Sequence, residues 1–578
     1  MFCICKFLPY RILFKISRLP ADDRFMPSIG NGHIATNVFS DTVHINGLYN
    51  GRAGESRRAR IPGYANVRLN STLTHHPFKP VYSLDTREAV FKVRVDRDRS
   101  VVTQRIFAHR FYTRTIVNQI QVVAKPHAGK LEKAELFFAL IYIECTSYYC
   151  CNSIVVLRSR KEVTLSLSVL QEDGEELFQK HVHHWRRLYE QGGLELKGNL
   201  ELSKITHGIW YYFLSSLPSL ESYQPLDRFY GLSPTGLARG VLLDDYHGHN
   251  FWDTEIWMFP SILMLYPAHA RTLLQYRLDF AHVAAQHAKN TGNKGYRFPW
   301  ESAYTGVEVT SSCCPSIPTF EQHITGCISF AIRQFLATTR DENWLKHGGC
   351  SIVTNIADFW ASRAVINYTT GVMGPDEDHA NVTNSVFTNV VAGYSLYLAE
   401  YISCLCKSYY LAKDPEHWAD IAWSLALPYE SIKDYHPQFS GYTRGEVIKQ
   451  ADVVLLGFPL STRGNDLSYY ESVTRSNGPA MTWSMHAIGH KDLGRRDKAE
   501  ELFKTSYEGY VREPFKVWSE VRRPDVGAVN FHTGMGGFLQ ALLFGFGGIR
   551  VHLDRLELDR PQLPPNATKF TIRGIPTH

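Results

Sequence analysis

A chain of 578 residues is too long for one simple core and fits two or three domains, one of them large. With 44% hydrophobic and 20% charged residues it is globular rather than disordered. A net charge of +6, mixed along the chain without a basic stripe, speaks against a nucleic-acid partner. No uninterrupted apolar run reaches the ~18 residues that a membrane span needs.

The N-terminal stretch MFCICKFLPYRILFKIS is apolar but broken by Lys6, Pro9, Arg11 and Lys15, which makes it a poor signal peptide. The 11 cysteines include close pairs (Cys3/Cys5, Cys150/Cys151, Cys313/Cys314, Cys404/Cys406) and no zinc-type repeat. They read as free, mostly buried thiols of a reducing compartment, so a cytoplasmic location is expected, with a secreted or lysosomal one as the alternative. Sequons stand at Asn70, Asn367, Asn381 and Asn566.

The first third alternates. REAVFKVRVDRDRSVVTQRIFAHRFYTRTIVNQIQVVA, KAELFFALIYIE and KEVTLSLSVL place apolar residues at every second position, the period of half-buried antiparallel strands in a β-sandwich over residues 1–175. EELFQKHVHHWRRLYEQGG then predicts a charged connecting helix within 176–200. His181, His183 and His184 lie on it without partner ligands at helical spacing, so a solvated face is expected rather than a metal site.

From residue 201 to 545 the period changes to 3.6, in segments such as ELSKITHGIWYYFLSSLPSL, FEQHITGCISFAIRQFLATTR and FTNVVAGYSLYLAEYISCLC. No fixed repeat marks a solenoid. Long Gly/Pro/Asn-rich loops between the helices favour an α/α toroid whose helix ends surround one pocket. Residues 546–578 turn β-like again, as IRVHLDRLEL and TKFTIRGI, and are expected either as an edge of another sheet or as a shortened β domain.

The loops carry the chemistry. Aromatic residues make up 13% of the chain, which serves a core or the stacking faces of a carbohydrate site. GHNFWDTEIWMFP brings Trp252 beside Asp253, a ring for a sugar face and a carboxylate for its hydroxyls; the plainer alternative is an N-cap Asp with Trp residues in the core. Lys449 and Gln450 in EVIKQADVVLLGFP either bind hydroxyls or open a helix. FHTGMGGF puts His532, Thr533 and Gly534 at a helix start. GPDEDHANVTNSVFTN crowds Asp376, Glu377, Asp378 and His379 where a helix is expected to begin near Asn381, either as acids against its macrodipole or as an acid catalyst with its partners. Cleavage of a glycosidic bond needs one acid on the leaving oxygen and a second carboxylate acting at the anomeric carbon. Glu377 and Glu520, the latter in FKVWSEVRRP, offer the two; Glu520 otherwise reads as a surface acid.

Taken in order, PTGLARGVLLDDYHGHNFWDTEIWMFP, GYRFPWES, FEQHITGCISFA, MGPDEDHANVTNSVFTN, IKQADVVLL and HTGMGGFLQ resemble glycoside hydrolase family 65 over about residues 230–545. The resemblance implies an N-terminal β-sandwich, a central (α/α)6 barrel and a small C-terminal β domain. It implies Glu377 as general acid, Trp252, Asp253, Lys449 and Gln450 at the glycone subsite, inversion of configuration, and no metal or organic cofactor. The family's hydrolases carry a Ser-Glu or Thr-Glu where this chain has Ser519-Glu520, which makes Glu520 the base; its phosphorylases place a phosphate there instead. The ending VNFHTGMGGFLQALLFGFGG is most like the branch that releases glucose from the Glc-α-1,2-Gal unit on collagen hydroxylysine. The acid role leads to the expectation that like-charge repulsion from Asp376 and Asp378 keeps Glu377 protonated, and the substrate to the expectation that Glu301 and Glu308 meet its ammonium at the rim. A disaccharide phosphorylase, a trehalase-type hydrolase and an inactive sugar-binding homologue are the alternatives. Arg522 and Arg523 mark where a phosphate would be held.

Overall fold

The computed structural model describes residues 12–54, 56–63, 66–69, 79–98, 100–125, 133–141 (backbone only), 173–223, 229–240, 243–312, 314–364, 369–406, 415–460 and 466–576. It is a mixed α and β molecule with antiparallel sheets at the N-terminal end and helices through the centre.

The alternating segments form one antiparallel sheet, in the order Leu13–Ile16, Val81–Asp85, Val90–Asp96, Ser100–Ala108, Thr115–Ala124 and Lys133–Ile141. KEVTLSLSVL lies outside the described residues. The period of two decides what each face meets. Phe91, Val93 and Val95 point into the main core, while Val90 on the other face joins Phe107, Val117 and Phe178. A second antiparallel sheet, Ser28–Gly30, Ile34–Asn37, Thr42–Ile45 and Ile61–Pro62, packs against the first, with Phe39 edge-on to Phe91 at 5.6 Å between ring centroids.

The connecting helix runs Gly174–Gln191, and the Asp173 side chain caps it by accepting from the amides of Glu175 and Glu176. Its buried stripe includes Leu177, Phe178, His181, Trp185 and Leu188. His181 therefore departs from the expected solvated face. It is wholly buried, accepts from the Arg110 amide at Nδ1 and reaches the carbonyls of Glu88 and Ala89 from Nε2, so both ring nitrogens serve the fold. Arg110 ties this region to the helix Leu200–Ser216 by donating to the carbonyl oxygens of Asn31, Leu214, Leu217 and Pro218. Bonds of this charge-assisted kind contribute ~1.5–3 kcal/mol each.

The 3.6-period segments are helices at Pro267–Asp279, Ala281–Asn290, His323–Thr339, Cys350–Arg363, Val386–Cys406, Pro415–Ser424, Arg496–Tyr507 and His532–Gln540. Thr482–Asp492 and Asp466–Val473 add helices that the sequence did not announce. A disulfide joins Cys350 to Cys406, linking the start of one helix to the end of another. These two residues correct the expectation of free thiols; Cys327 and Cys404 are free. The C-terminal strand Lys569–Arg573 pairs antiparallel with Gly193–Lys197, so this stretch is an edge laid on an earlier strand. One apolar core runs continuously from Ile12 to Ile549. Among the described residues no helix is long and apolar enough to cross a membrane.

Candidate active site

Loops at the helix ends converge on a cavity of about 220 Å³. Trp252, Asp253, Glu377, Lys449, Gln450 and Glu520 all line it, together with Tyr246, His247, Phe251, Trp300, Glu301, Met481 and Phe531.

Trp252 and Asp253 precede a wide π-helical turn, Thr254–Met258. Asp253 makes no side-chain cap, contrary to the plainer alternative; its Oδ1 accepts from the Thr533 hydroxyl at 2.6 Å. Burial pushes its carboxyl up to about 7, and Glu377 and Glu520 add to the rise against the Thr533 bond. Trp252 is only 3% exposed, edge-on to His323, Trp257 and Phe387, so its ring is fixed from behind while bordering the cavity. Glu255, within that turn, forms a fully buried two-pronged ion pair with Arg277 that anchors it.

The acidic cluster is not a helix start. The helix begins at Val386, and Asn381 and Asn384 have φ of 57° and 55°, which no α-helix accommodates. Asp376 is wholly buried and accepts from the Lys449 amide, the Gln438 side chain and His379. Asp378 pairs with Arg475 at 2.5 Å. Both carboxylates are thus committed elsewhere, and the group against Glu377 is a cation: Lys449 Nζ lies 2.6 Å from Glu377 Oε2. The expectation that Asp376 and Asp378 keep Glu377 protonated is corrected accordingly. Burial opposes the charge of Lys449, yet Glu377, Glu520 and Asp378 together lift its ammonium above the ordinary value. Gln450 is buried and its amide donates to the Pro375 carbonyl, fixing the turn that carries Glu377.

Asp452, in the same KQAD segment, is fully buried beside Asp376; its Oδ2 accepts from the Asp376 amide and from Gln438, and its Oδ1 has no partner. Burial pushes it from 3.8 up to about 7. The folded group holds a proton that the unfolded one releases, so this residue withdraws stability as pH rises from about 4 to about 7. Asp452→Asn is expected to flatten the fall in Tm between about pH 4 and 8, measured by thermal denaturation beside the unaltered protein. An unchanged slope would refute this account of Asp452.

Glu520 is held on both sides. The Tyr246 hydroxyl donates to Oε1 at 2.6 Å and the Ala528 amide to Oε2 at 3.0 Å. Gly527 has φ +58°, and a Cβ there would stand 2.9 Å from Oε2, so glycine is required for this approach. Arg522 and Arg523 do not border the cavity; Arg523 donates to the Val511 carbonyl. Glu301 borders it and Glu308 does not: Glu308 accepts from the amides of Trp300, Glu301 and Thr310 and so holds the loop. Among the described residues, His247, His249 and Glu301 form the group that offers metal-type donors, within 4.8 Å of one another. A 2.7 Å hydrogen bond between His249 Nδ1 and Glu301 Oε1 accounts for much of that closeness. Burial pushes Glu301 up to about 8 and His249 down to about 3. His532 is buried with its ring nitrogens on the carbonyls of Asn530 and Tyr212, and Thr533 is the one residue of that turn that reaches Asp253.

Sequence reasoning missed Tyr246, His247, Met481 and Phe531. Tyr246 stands in the quoted LLDDYHGHNFWD, but no local spacing points to Glu520, 274 residues away.

Residues 233–447 match the Glycosyl hydrolase family 65 central catalytic domain. The chain is 34% identical to the protein-glucosylgalactosylhydroxylysine glucosidase of Gallus gallus, over 97% of its own length and 88% of that protein's. The chain belongs to glycosyl hydrolase family 65. It is also 33% identical to the kojibiose hydrolase of Mucilaginibacter mallensis, over 72% of this chain and 60% of that one. A solved structure provisionally described as a kojibiose phosphorylase from the human microbiome superposes with a TM-score of 0.71, covering 98% of this chain and 93% of its own at 16% identity, a likeness of fold. Within this family 65 chain, Trp252, Asp253 and Glu377 fall inside the matched domain, while Lys449, Gln450 and Glu520 lie beyond its end. Hydrolysis of a glycosidic bond needs two carboxyl groups on one cavity, and Glu377 and Glu520 share one.

Proposed function

We propose that this chain is an inverting α-glucosidase that hydrolyses the terminal glucose from an α-linked disaccharide unit, with Glc-α-1,2-Gal on hydroxylysine as its substrate. The observation that carries the reading is the pair Glu377 and Glu520 on one cavity, in a chain so similar along its length to a glucosylgalactosylhydroxylysine glucosidase. Glucose stacks at Trp252 and is held by Asp253, Lys449 and Gln450. Glu377 is paired with Lys449. A glucosyl unit whose hydroxyls take that ammonium leaves Glu377 to protonate the interglycosidic oxygen, and Glu520 removes a proton from the attacking water.

The reading includes an (α/α)6 barrel over 201–545, behind a β-sandwich (1–175) and a helical linker (176–200), with 546–578 as a β appendage. Glu520, clamped by Tyr246 and Ala528, supports hydrolysis over phosphorolysis, because the neighbouring Arg522 and Arg523 are turned away from the cavity. The Cys350–Cys406 disulfide, of the kind that persists in oxidising compartments, favours a secreted or lysosomal location over a cytoplasmic one.

Incubation with glucosylgalactosyl-hydroxylysine, kojibiose, maltose and trehalose, read by NMR, tests the assignment. The expected product is β-glucose, released fastest from the hydroxylysine conjugate and independent of phosphate. Phosphate-dependent formation of glucose 1-phosphate would overturn it.

A further inference from the structure

We propose that Tyr246 is the positioning residue of the catalytic base, holding the Glu520 carboxylate in the orientation that presents its free lone pairs to the attacking water. The proposal rests on the reading of Glu520 as the base.

The backbone around Tyr246 is built to place one side chain. Tyr246 and His247 have φ of 55° and 48°, left-handed values that side chains other than glycine rarely adopt, and Gly248 follows at 73°. The His249 amide closes the turn on the Tyr246 carbonyl at 2.9 Å. The strained turn sends the Tyr246 ring into the cavity between Phe251, edge-on at 5.4 Å, and Phe531, stacked at 6.2 Å. From there the hydroxyl donates to Glu520 Oε1 at 2.6 Å, a short charge-assisted bond.

The opposite side of the carboxylate is equally fixed. The Ala528 amide donates to Oε2 at 3.0 Å, and Gly527 lets the backbone close upon it. Each oxygen thus accepts one protein donor and keeps a second lone-pair direction. Burial, followed by the charges of Glu520 and Asp253, pushes the phenol well above the ordinary tyrosine range. A phenol so shifted keeps its proton for the bond to Glu520.

Packing by itself would also hold an aromatic ring here, and Tyr246→Phe separates the two roles because it removes only the hydroxyl. The expected result is a kcat about tenfold or more lower, a KM changed by less than about threefold, and an acid limb of the pH profile of kcat/KM displaced to higher pH, since a carboxylate without its donor ionises later. Because Tyr246 acts through Glu520, the double variant Tyr246→Phe/Glu520→Gln is expected to be no slower than Glu520→Gln alone. Circular dichroism and Tm establish that the variant is folded. Should Tyr246→Phe not fold, 3-fluorotyrosine at position 246 keeps the ring and strengthens the donor, and the acid limb then moves to lower pH. An unchanged kcat and pH profile in Tyr246→Phe, an unmoved limb in the fluorotyrosine protein, or losses that multiply in the double variant would overturn the proposal. Full activity in Glu520→Gln would instead sink the base assignment, and the proposal with it.

Discussion

Glu377→Gln is expected to lower kcat on glucosyl disaccharides by ~10²- to 10⁴-fold while leaving KM near its original value. The amide has the size of the carboxyl, and its oxygen can still accept from Lys449, which lies 2.6 Å away in the unaltered protein. The fold is not at stake. Glu377 and Lys449 are each 28% exposed, and a pair so placed contributes at most about 1 kcal/mol. What the substitution removes is the transferable proton. The decisive control is α-glucosyl fluoride, whose leaving group departs without protonation. If Glu377 is the acid, hydrolysis of the fluoride is largely spared while the disaccharide reaction collapses. Equal losses on both substrates would mean that Glu377 holds the sugar or the loop rather than donating a proton.

Where periodicity was strong, the fold was legible. Phe91, Val93 and Val95 alternate with polar neighbours and enter the core, and Leu177, Phe178, His181 and Trp185 recur at helical spacing and form the buried stripe of the connecting helix. The same stripe shows the limit of the method. His181 is polar by type, and only tertiary partners, the Arg110 amide and two carbonyls, make its burial affordable. The pairing of Lys569–Arg573 with Gly193–Lys197 depends on a contact across most of the chain, which no local pattern encodes.

The site was legible as a set of residues and not as a set of contacts. Trp252, Asp253, Glu377, Lys449, Gln450 and Glu520 do meet on one cavity. The electrostatic partners were assigned from neighbours in sequence, and there the reading failed. Asp376 and Asp378 flank Glu377 in the chain, yet their side chains diverge, one into the Gln438–Asp452 network and one to Arg475. Adjacent residues in an irregular loop point in unrelated directions, because residues 374–379 form neither helix nor strand and carry no period. Cys350 and Cys406 illustrate the same point: 56 residues apart in sequence, they become bonded only when two helices pack.

Glu520→Ala carries the second large effect, an expected loss of ~10²- to 10⁴-fold in kcat that azide partly restores. Deleting the carboxylate leaves a space still faced by the Tyr246 hydroxyl and the Ala528 amide, the donors that held Oε1 and Oε2. A small anion can occupy that space, meet both donors and attack the anomeric carbon without needing a base. Attack from the side of the missing base inverts the α-glucoside, so the product is β-glucosyl azide, identified by its anomeric proton coupling. The outcome separates the available roles. A nucleophile of a retaining enzyme would also be rescued to the β-azide, because azide attacks from the face the nucleophile left, but the unaltered enzyme would then release α-glucose. A surface acid with no part in the reaction would leave hydrolysis intact and azide without effect. A phosphorylase would have no base to lose, and its turnover would follow phosphate before and after the substitution. Only a base that activates water between Tyr246 and the glucosyl carbon predicts both β-glucose from the unaltered enzyme and a slow variant rescued to an inverted azide.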